Sequence, residues 1–448
     1  MTAAVVTTAT FAKTFLPFYL IGSTPIFALT SALGIVLVTI GWRGMYDRAQ
    51  RITDILVLLS PLYGVVIVSY WTHSYPVVPV TYLLGILIFH ALFLIFGFAA
   101  ARALKVVLLM LLGGAAVYLV VIARYTLLFG DLMRGGYLHD LFGVGVSAIF
   151  ITFHLNIGNL LGLAALAALG LGSTRIRKIL AAGALLLVLI FMFHIAARTA
   201  LVALLGSVIF LAGAAIWVRS KKWALLSALA VLVAAALASG IFYQRALEDK
   251  AVDTLAPDAI SRTIREIQDP RPLFRIQIWE RAWRRILSEP DRLLLGRGVG
   301  IYPVDEGFGA PDWLLRPTEG SKYYPHNVHL EMLYETGIVG LLLFGILSLF
   351  PLVSAIRRWR MLSLMEQSAI AIYVFNLFSA ELSGSFAFSY DFQFFLALAV
   401  GVIASNRRRG TTARPLLRSL RPAEEVHASP APLKEDSHHS LATPIVDR

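Results

Sequence analysis

The densest set of residues able to do chemistry is the run 325–340, PHNVHLEMLYETGIVG. His326 stands out because imidazole is the side chain that titrates near neutral pH without help. Asn327 follows it as a good helix N-cap, which holds His326 just outside the first turn of an apolar segment. Glu331 and Glu335 come one turn apart inside that segment's first turns. An acid near a helix N-terminus is favoured by the macrodipole, yet an acid within a bilayer has to face a partner or a cavity. Two arginines join this set: Arg198, in FHIAARTALVALL, and Arg275, in LFRIQIWERAWRRILS. One reading makes His326 a general base and Arg198 and Arg275 a clamp on a diphosphate, since guanidinium stays charged and grips phosphate oxygens in bidentate fashion. The other reading leaves an interfacial histidine beside a structural cap and an arginine that snorkels from a span end. Glu381 and Asp391, in AELSGSFAFSYDFQF, bracket a late connection and are candidates for lining an acceptor path.

These residues need elements to position them. The stretch 273–288 reads as an amphipathic helix, with Pro272 at its start, a favoured first-turn position. Trp279, Ala282, Trp283 and Ile286 follow the spacing of one apolar face. Arg275, one turn before Trp279, shares that face, where a cation needs a partner. Arg281, Arg284 and Arg285 form a solvated or headgroup-facing edge. Beyond Pro290, Gly296, Gly298 and Gly300 predict a tight, close-packed turn. Their G-x-G-x-G pattern follows no βαβ strand and carries no P-loop lysine, so it is not read as a nucleotide fingerprint.

Composition decides the class. The 448 residues are 58% hydrophobic and only 15% charged, against about 25% charged in ordinary globular chains. Mean hydropathy is +0.74. Apolar runs long enough to span a bilayer recur along the chain, which excludes a soluble enzyme and a disordered scaffold. The fold class expected is an all-α polytopic membrane protein of about twelve transmembrane helices with one large, mostly helical periplasmic loop. Spans fall near 8–24, 26–42, 53–71, 79–100, 106–124, 142–171, 179–195, 199–218, 223–243, 328–353, 365–383 and 387–404. The first two are interrupted by Pro17 and Pro25 and alternatively cross only once. This divides the chain into transmembrane helices over 1–243, a loop domain over 244–327, further transmembrane helices over 328–404 and a disordered basic cytoplasmic tail over 405–448.

The net charge of +12 does not point to nucleic acid. The connections 43–52, 101–106, 173–178, 218–222, 356–361 and 405–410 hold 17 Lys/Arg and one acid, Asp47. The short connections between them, near 24–25, 71–78, 124–140, 195–199 and 380–390, carry only Arg124, Arg134 and Arg198. That alternation is the positive-inside rule, so the basic excess sets topology. The segment 244–327 balances 13 Lys/Arg with 13 Asp/Glu and falls on the side opposite the basic loops. Absence of cysteine excludes disulfides, thiolate metal sites and catalytic thiols. The N-terminus lacks a basic n-region, so the first apolar segment reads as a retained span.

Taken in order, these motifs resemble the bacterial O-antigen ligase and O-antigen polymerase family, which are C-type membrane glycosyltransferases. The resemblance rests on R-x-x-x-W-x-x-A (Arg275, Trp279, Ala282), P…L-G-x-G-x-G from Pro290 to Gly300, and H-N-x-x-L-E-x-x-x-E-x-G-I-x-G-L from His326 to Leu341. The A-R-T-A around Arg198 also matches. Coverage by motifs is about 198–350. The resemblance implies an undecaprenyl-diphosphate-linked glycan as donor, with His326 as base and Arg198 and Arg275 on the diphosphate. Asn327, Glu331, Glu335, Glu381 and Asp391 would support the site or line the acceptor path. It implies transfer at the periplasmic face of the bacterial inner membrane, with no cofactor. The first external connection lacks a D-x-D-like carboxylate pair, which fits a mechanism without a metal and departs from metal-using C-type transferases, and in-line displacement by the acceptor hydroxyl predicts inversion. The leading expectation is an O-antigen ligase acting on lipid A–core. A polymerase that takes a second lipid-linked glycan as acceptor is the close alternative. A protein O-oligosaccharyltransferase and a lipid-linked oligosaccharide transporter come behind it.

Overall fold

Helices account for the regular structure, with no strand among the described residues. The computed structural model describes residues 59–129, 146–172, 174–194, 197–223, 226, 273–306 and 324–419. The spans expected at 8–24 and 26–42, most of the one at 223–243, the loop stretches 244–272 and 307–323, and the tail from 420 lie outside the described residues. The chain divides into two compact units, one ending at Asn406 and the other covering Arg407–Arg448.

In chain order, α1 covers 59–69 and runs into a π-turn, Tyr70–Ser74. There follow α2, Val80–Ala100; α3, Leu104–Phe129; α4, Val146–Leu171; α5, Arg175–His194; and α6, Arg198–Arg219. Helix α7, Leu273–Ser288, and the single turn α8, Tyr302–Asp305, precede α9, Val328–Arg357; α10, Leu364–Ser383; and α11, Tyr390–Ser419. Three stretches among the described residues are long and apolar enough to cross a membrane: Val80–Val117, Arg198–Arg219 and Val328–Arg357. The basic connection expected at 101–106 is a single 3-10 turn, Ala101–Ala103, flanked by helical backbone angles. Ala-Arg-Ala contains no helix breaker, so helical geometry persists through it. The sequence places the end of the last span at 404, whereas the helix continues to Ser419.

Helix α10 lies at the centre. Its residues Ala369 to Tyr373 are fully buried, and it packs on α4 and α6. Small residues let the backbones approach, as membrane helices require. Gly158 faces Ala197 and Ala200, Gly162 faces Phe375, Gly170 faces Ser368, and Gly206 faces Phe378. The start of α10 is set by a capping box, with Ser363 and Glu366 each bonded to the other's backbone N–H. On the outside of α9, Leu342, Ile346 and Leu349 form an exposed apolar stripe at i, i+4, i+7. Such a surface suits lipid contact.

Helix α9 is broken at Gly337, where φ is 69°. A break leaves backbone groups without helical partners, and the glycine-rich turn takes them up. Ile338 and Val339 donate to the carbonyls of Leu293 and Leu294 at 2.9 and 3.3 Å. Arg297 and Gly298 donate their N–H groups to the carbonyls of Tyr334 and Glu335 at 2.8 and 3.0 Å. On its other side the turn meets the π-turn, where Ser74 Oγ donates to the carbonyl of Val299 at 2.8 Å. A side chain at Gly337 would collide with the carbonyl of Leu294. The expected close-packed turn is therefore a wedge that completes a broken span.

Arg297 fixes this wedge. It is buried, pairs with Glu289, and donates from Nε to Asp305 at 2.8 Å. Its guanidinium lies 5.6 Å from the centroid of Tyr334, whose hydroxyl donates to Asp305 at 2.5 Å. Burial alone would lower the Arg297 pKa. The carboxylates of Asp305 and Glu289 outweigh it and raise the pKa above its ordinary value, so the charge persists. Arg297→Ala is expected to destabilise the folded protein by about 2 kcal/mol, below the usual cost of breaking a fully buried pair because both carboxylates keep some solvent contact. Thermal unfolding in detergent measures it, and an unchanged midpoint would contradict the assignment.

Candidate functional site

The N-terminal end of α9 is built as the capping residues dictate. Asn327 is extended and its side-chain oxygen accepts from the N–H of Leu330 at 2.7 Å. His326 adopts a left-handed backbone, φ 55°, alone among the described non-glycine residues. Such a conformation is strained for a residue with a Cβ and marks positions that surrounding structure holds in place. The His326 ring lies 4.5 Å, centroid to centroid, from that of Tyr324.

Two other elements close on this turn. From α7, the indole N–H of Trp279 donates to the carbonyl of Pro325 at 2.8 Å. From α10, the carbonyl of Glu381 accepts from Asn327 Nδ2 at 3.1 Å, and its carboxylate accepts from His329 Nδ1. Arg275 sits on α7 one turn before Trp279, so its backbone belongs to the helix bonded to the His326 turn. Its side chain lies outside the described residues. By register Arg275 shares the face of Ile278, Ala282 and Ile286, which are buried. This differs from the face expected from sequence. Ile278 is inside and Trp283 is 49% exposed, because a bulky indole keeps its polar edge in contact with water or headgroups more readily than isoleucine does.

Arg198 is the first residue of α6 and is exposed. Which end of the bundle it occupies follows from register. Gly206, two turns into α6, packs against Phe378; further along, Phe210 lies 5.9 Å from Trp359, and at the far end of α6 Val218 accepts from Arg360. Helices α6 and α10 therefore run antiparallel. The start of α6 lies toward the end of α10 that carries Glu381 and meets Asn327 and His329. Arg198, the α7 helix and His326 share one end of the bundle.

The remaining expected site residues divide. Glu331 is buried, and its carboxylate accepts from Ser385 Oγ at 2.8 Å and from the N–H of Phe386 at 3.0 Å. Glu335 is buried, and its carbonyl accepts from Ser69 Oγ at 2.5 Å as well as from Gly298. These two contacts tie α9 to the 384–389 turn and to the glycine wedge. Asp391 is exposed in the first turn of α11, where an acid complements the helix dipole. The His329–Glu381 pair was not a sequence expectation. The H-N-V-H spacing, with a second histidine in the first turn, is the one sequence signal that could have found it.

Residues 182–345 match the family described as O-antigen ligase. The matched stretch contains Arg198, Arg275, the glycine wedge and His326. This match supports the resemblance to the O-antigen ligase and polymerase family over that stretch. Together with the apolar helices, the match supports, at a coarse level, a membrane enzyme of the O-antigen ligase and polymerase type. No curated protein matches the sequence.

Proposed function

We propose that the protein is an inverting, metal-independent O-antigen ligase of the bacterial inner membrane. It moves a glycan from undecaprenyl diphosphate to a hydroxyl of lipid A–core at the periplasmic face. His326 takes the proton of the acceptor hydroxyl. The hydroxyl oxygen bonds to the anomeric carbon as the bond from that carbon to the diphosphate oxygen breaks, which inverts the centre and releases undecaprenyl diphosphate. Arg198 and Arg275 hold the diphosphate and stabilise its growing charge. Asn327 caps the helix behind the base, and Glu331 and Glu335 brace that helix. Glu381 and Asp391 stand on the acceptor side. The proposed frame has about twelve spans: helices over 1–243 and 328–404, a periplasmic domain over 244–327 and a cytoplasmic tail over 405–448.

The observation that supports this reading best is the strained backbone of His326, held between α7, which carries Arg275, and the α9 cap, at the end of the bundle where α6 starts with Arg198. The experiment is a gel of surface polysaccharide from a deletion strain. Lipid A–core without attached glycan, together with accumulated lipid-linked polymer, is expected. Single repeat units on core would instead make the protein a polymerase, and unchanged lipopolysaccharide with lost secreted polymer would make it an exopolysaccharide polymerase. Chelator is expected to leave transfer by the purified protein unchanged. Loss in EDTA that Mg²⁺ restores would contradict the metal-independent mechanism.

A further inference from the structure

We infer that Trp279 is a positioning residue for the base: its indole N–H, bonded to the carbonyl of Pro325, holds the left-handed turn that presents His326. The inference rests on the reading of His326 as the base. The Pro325 carbonyl and the His326 N–H belong to one peptide plane, and that plane is rigid. Anchoring the oxygen therefore restrains the rotation that sets φ of His326. On the other side, the extended Asn327 is fixed twice, by its side-chain oxygen on Leu330 and by its Nδ2 on the Glu381 carbonyl. His326 is clamped from both ends while its backbone stays at φ 55°. A left-handed histidine has no stabilising reason of its own to persist, so the clamp supplies it.

The N-terminal side of that clamp comes from 46 residues away along the chain. Proline at 325 has no N–H of its own to offer the fold, so the carbonyl is its only polar backbone handle. Trp279 is half-buried and packs against the core, which keeps the indole from following the turn if the turn moves. The same helix carries Arg275 one turn earlier, so a single hydrogen bond sets the base in register with the helix that holds the diphosphate. Loss of the bond lets the turn relax toward negative φ and swings the imidazole away from the acceptor hydroxyl.

The test replaces Trp279 with the isosteric amino acid 3-benzothienylalanine, which keeps the ring shape and lacks the N–H. Trp279→Phe is made as a second variant. Transfer is followed in detergent with isolated undecaprenyl-diphosphate-linked glycan as donor and lipid A–core as acceptor. The isostere is expected to lower kcat about 10- to 100-fold, the scale of a misplaced catalytic group, with KM for donor and acceptor within about twofold and the melting temperature nearly unchanged. Trp279→Phe is expected to match the isostere in kcat per folded molecule. An isostere with wild-type kcat overturns the inference, as does a loss confined to the yield of folded protein. His326→Ala is measured alongside. If His326→Ala keeps activity, the base assignment itself has failed. If it is inactive while the isostere is unaffected, only the positioning role falls.

Discussion

His326→Ala and His326→Asn are both expected to cut glycan transfer about 10³-fold while leaving expression and membrane insertion intact, the scale a positioned base contributes. The pair of substitutions separates two things that His326 does. Alanine removes the base and is also uncomfortable at φ 55°. Asparagine tolerates a left-handed backbone, so it keeps the turn and removes only the titrating ring. Equal losses in the two variants place the effect on the imidazole. Asn327 still caps α9 in both, so the span should fold. Transfer at wild-type rate by His326→Asn would remove the proposed base.

Arg198→Lys and Arg275→Lys are each expected to lower kcat/KM about 100-fold. Lysine keeps the charge and loses the planar fork that grips two phosphate oxygens at once. The growing charge on the leaving diphosphate then loses stabilisation in the transition state. Because both arginines are assigned to one diphosphate, the double variant should lose less than the product of the single effects. Strictly multiplicative losses would mean that the two cations act on separate ligands. Activity equal to wild type in either single lysine variant would remove that residue from the clamp.

Much of this site was legible locally. The α7 boundaries match the amphipathic stretch 273–288, the Asn327 cap forms where its type and place predicted, and Gly296, Gly298 and Gly300 all take positive φ. Each is decided by residues within one or two turns, which spacing can report. What stayed hidden depends on distant partners. The glycine turn is tight because it completes the hydrogen bonds of α9 around Gly337, and neither segment announces the other. Glu331 stands out in the sequence because a buried acid in a span demands a partner. That partner is the turn at Ser385 and Phe386, more than fifty residues on, and only tertiary structure supplies it. His329 is silent in the sequence because a histidine in a first helical turn gains meaning only when Glu381 arrives from α10. The buried face of α7 differs from the sequence expectation at Trp283 because apolar spacing alone does not rank an indole below an isoleucine for burial.

The chain contains no cysteine, which makes single engineered thiols unambiguous reporters. Arg198→Cys, Arg275→Cys and His326→Cys can each be exposed to a membrane-impermeant maleimide from the periplasmic side, with and without undecaprenyl diphosphate. The account predicts that all three label from that side and that the lipid diphosphate protects all three. Labelling of any one only from the cytoplasmic side, or protection that spares one of them, would contradict a single external site shared by the base and both arginines.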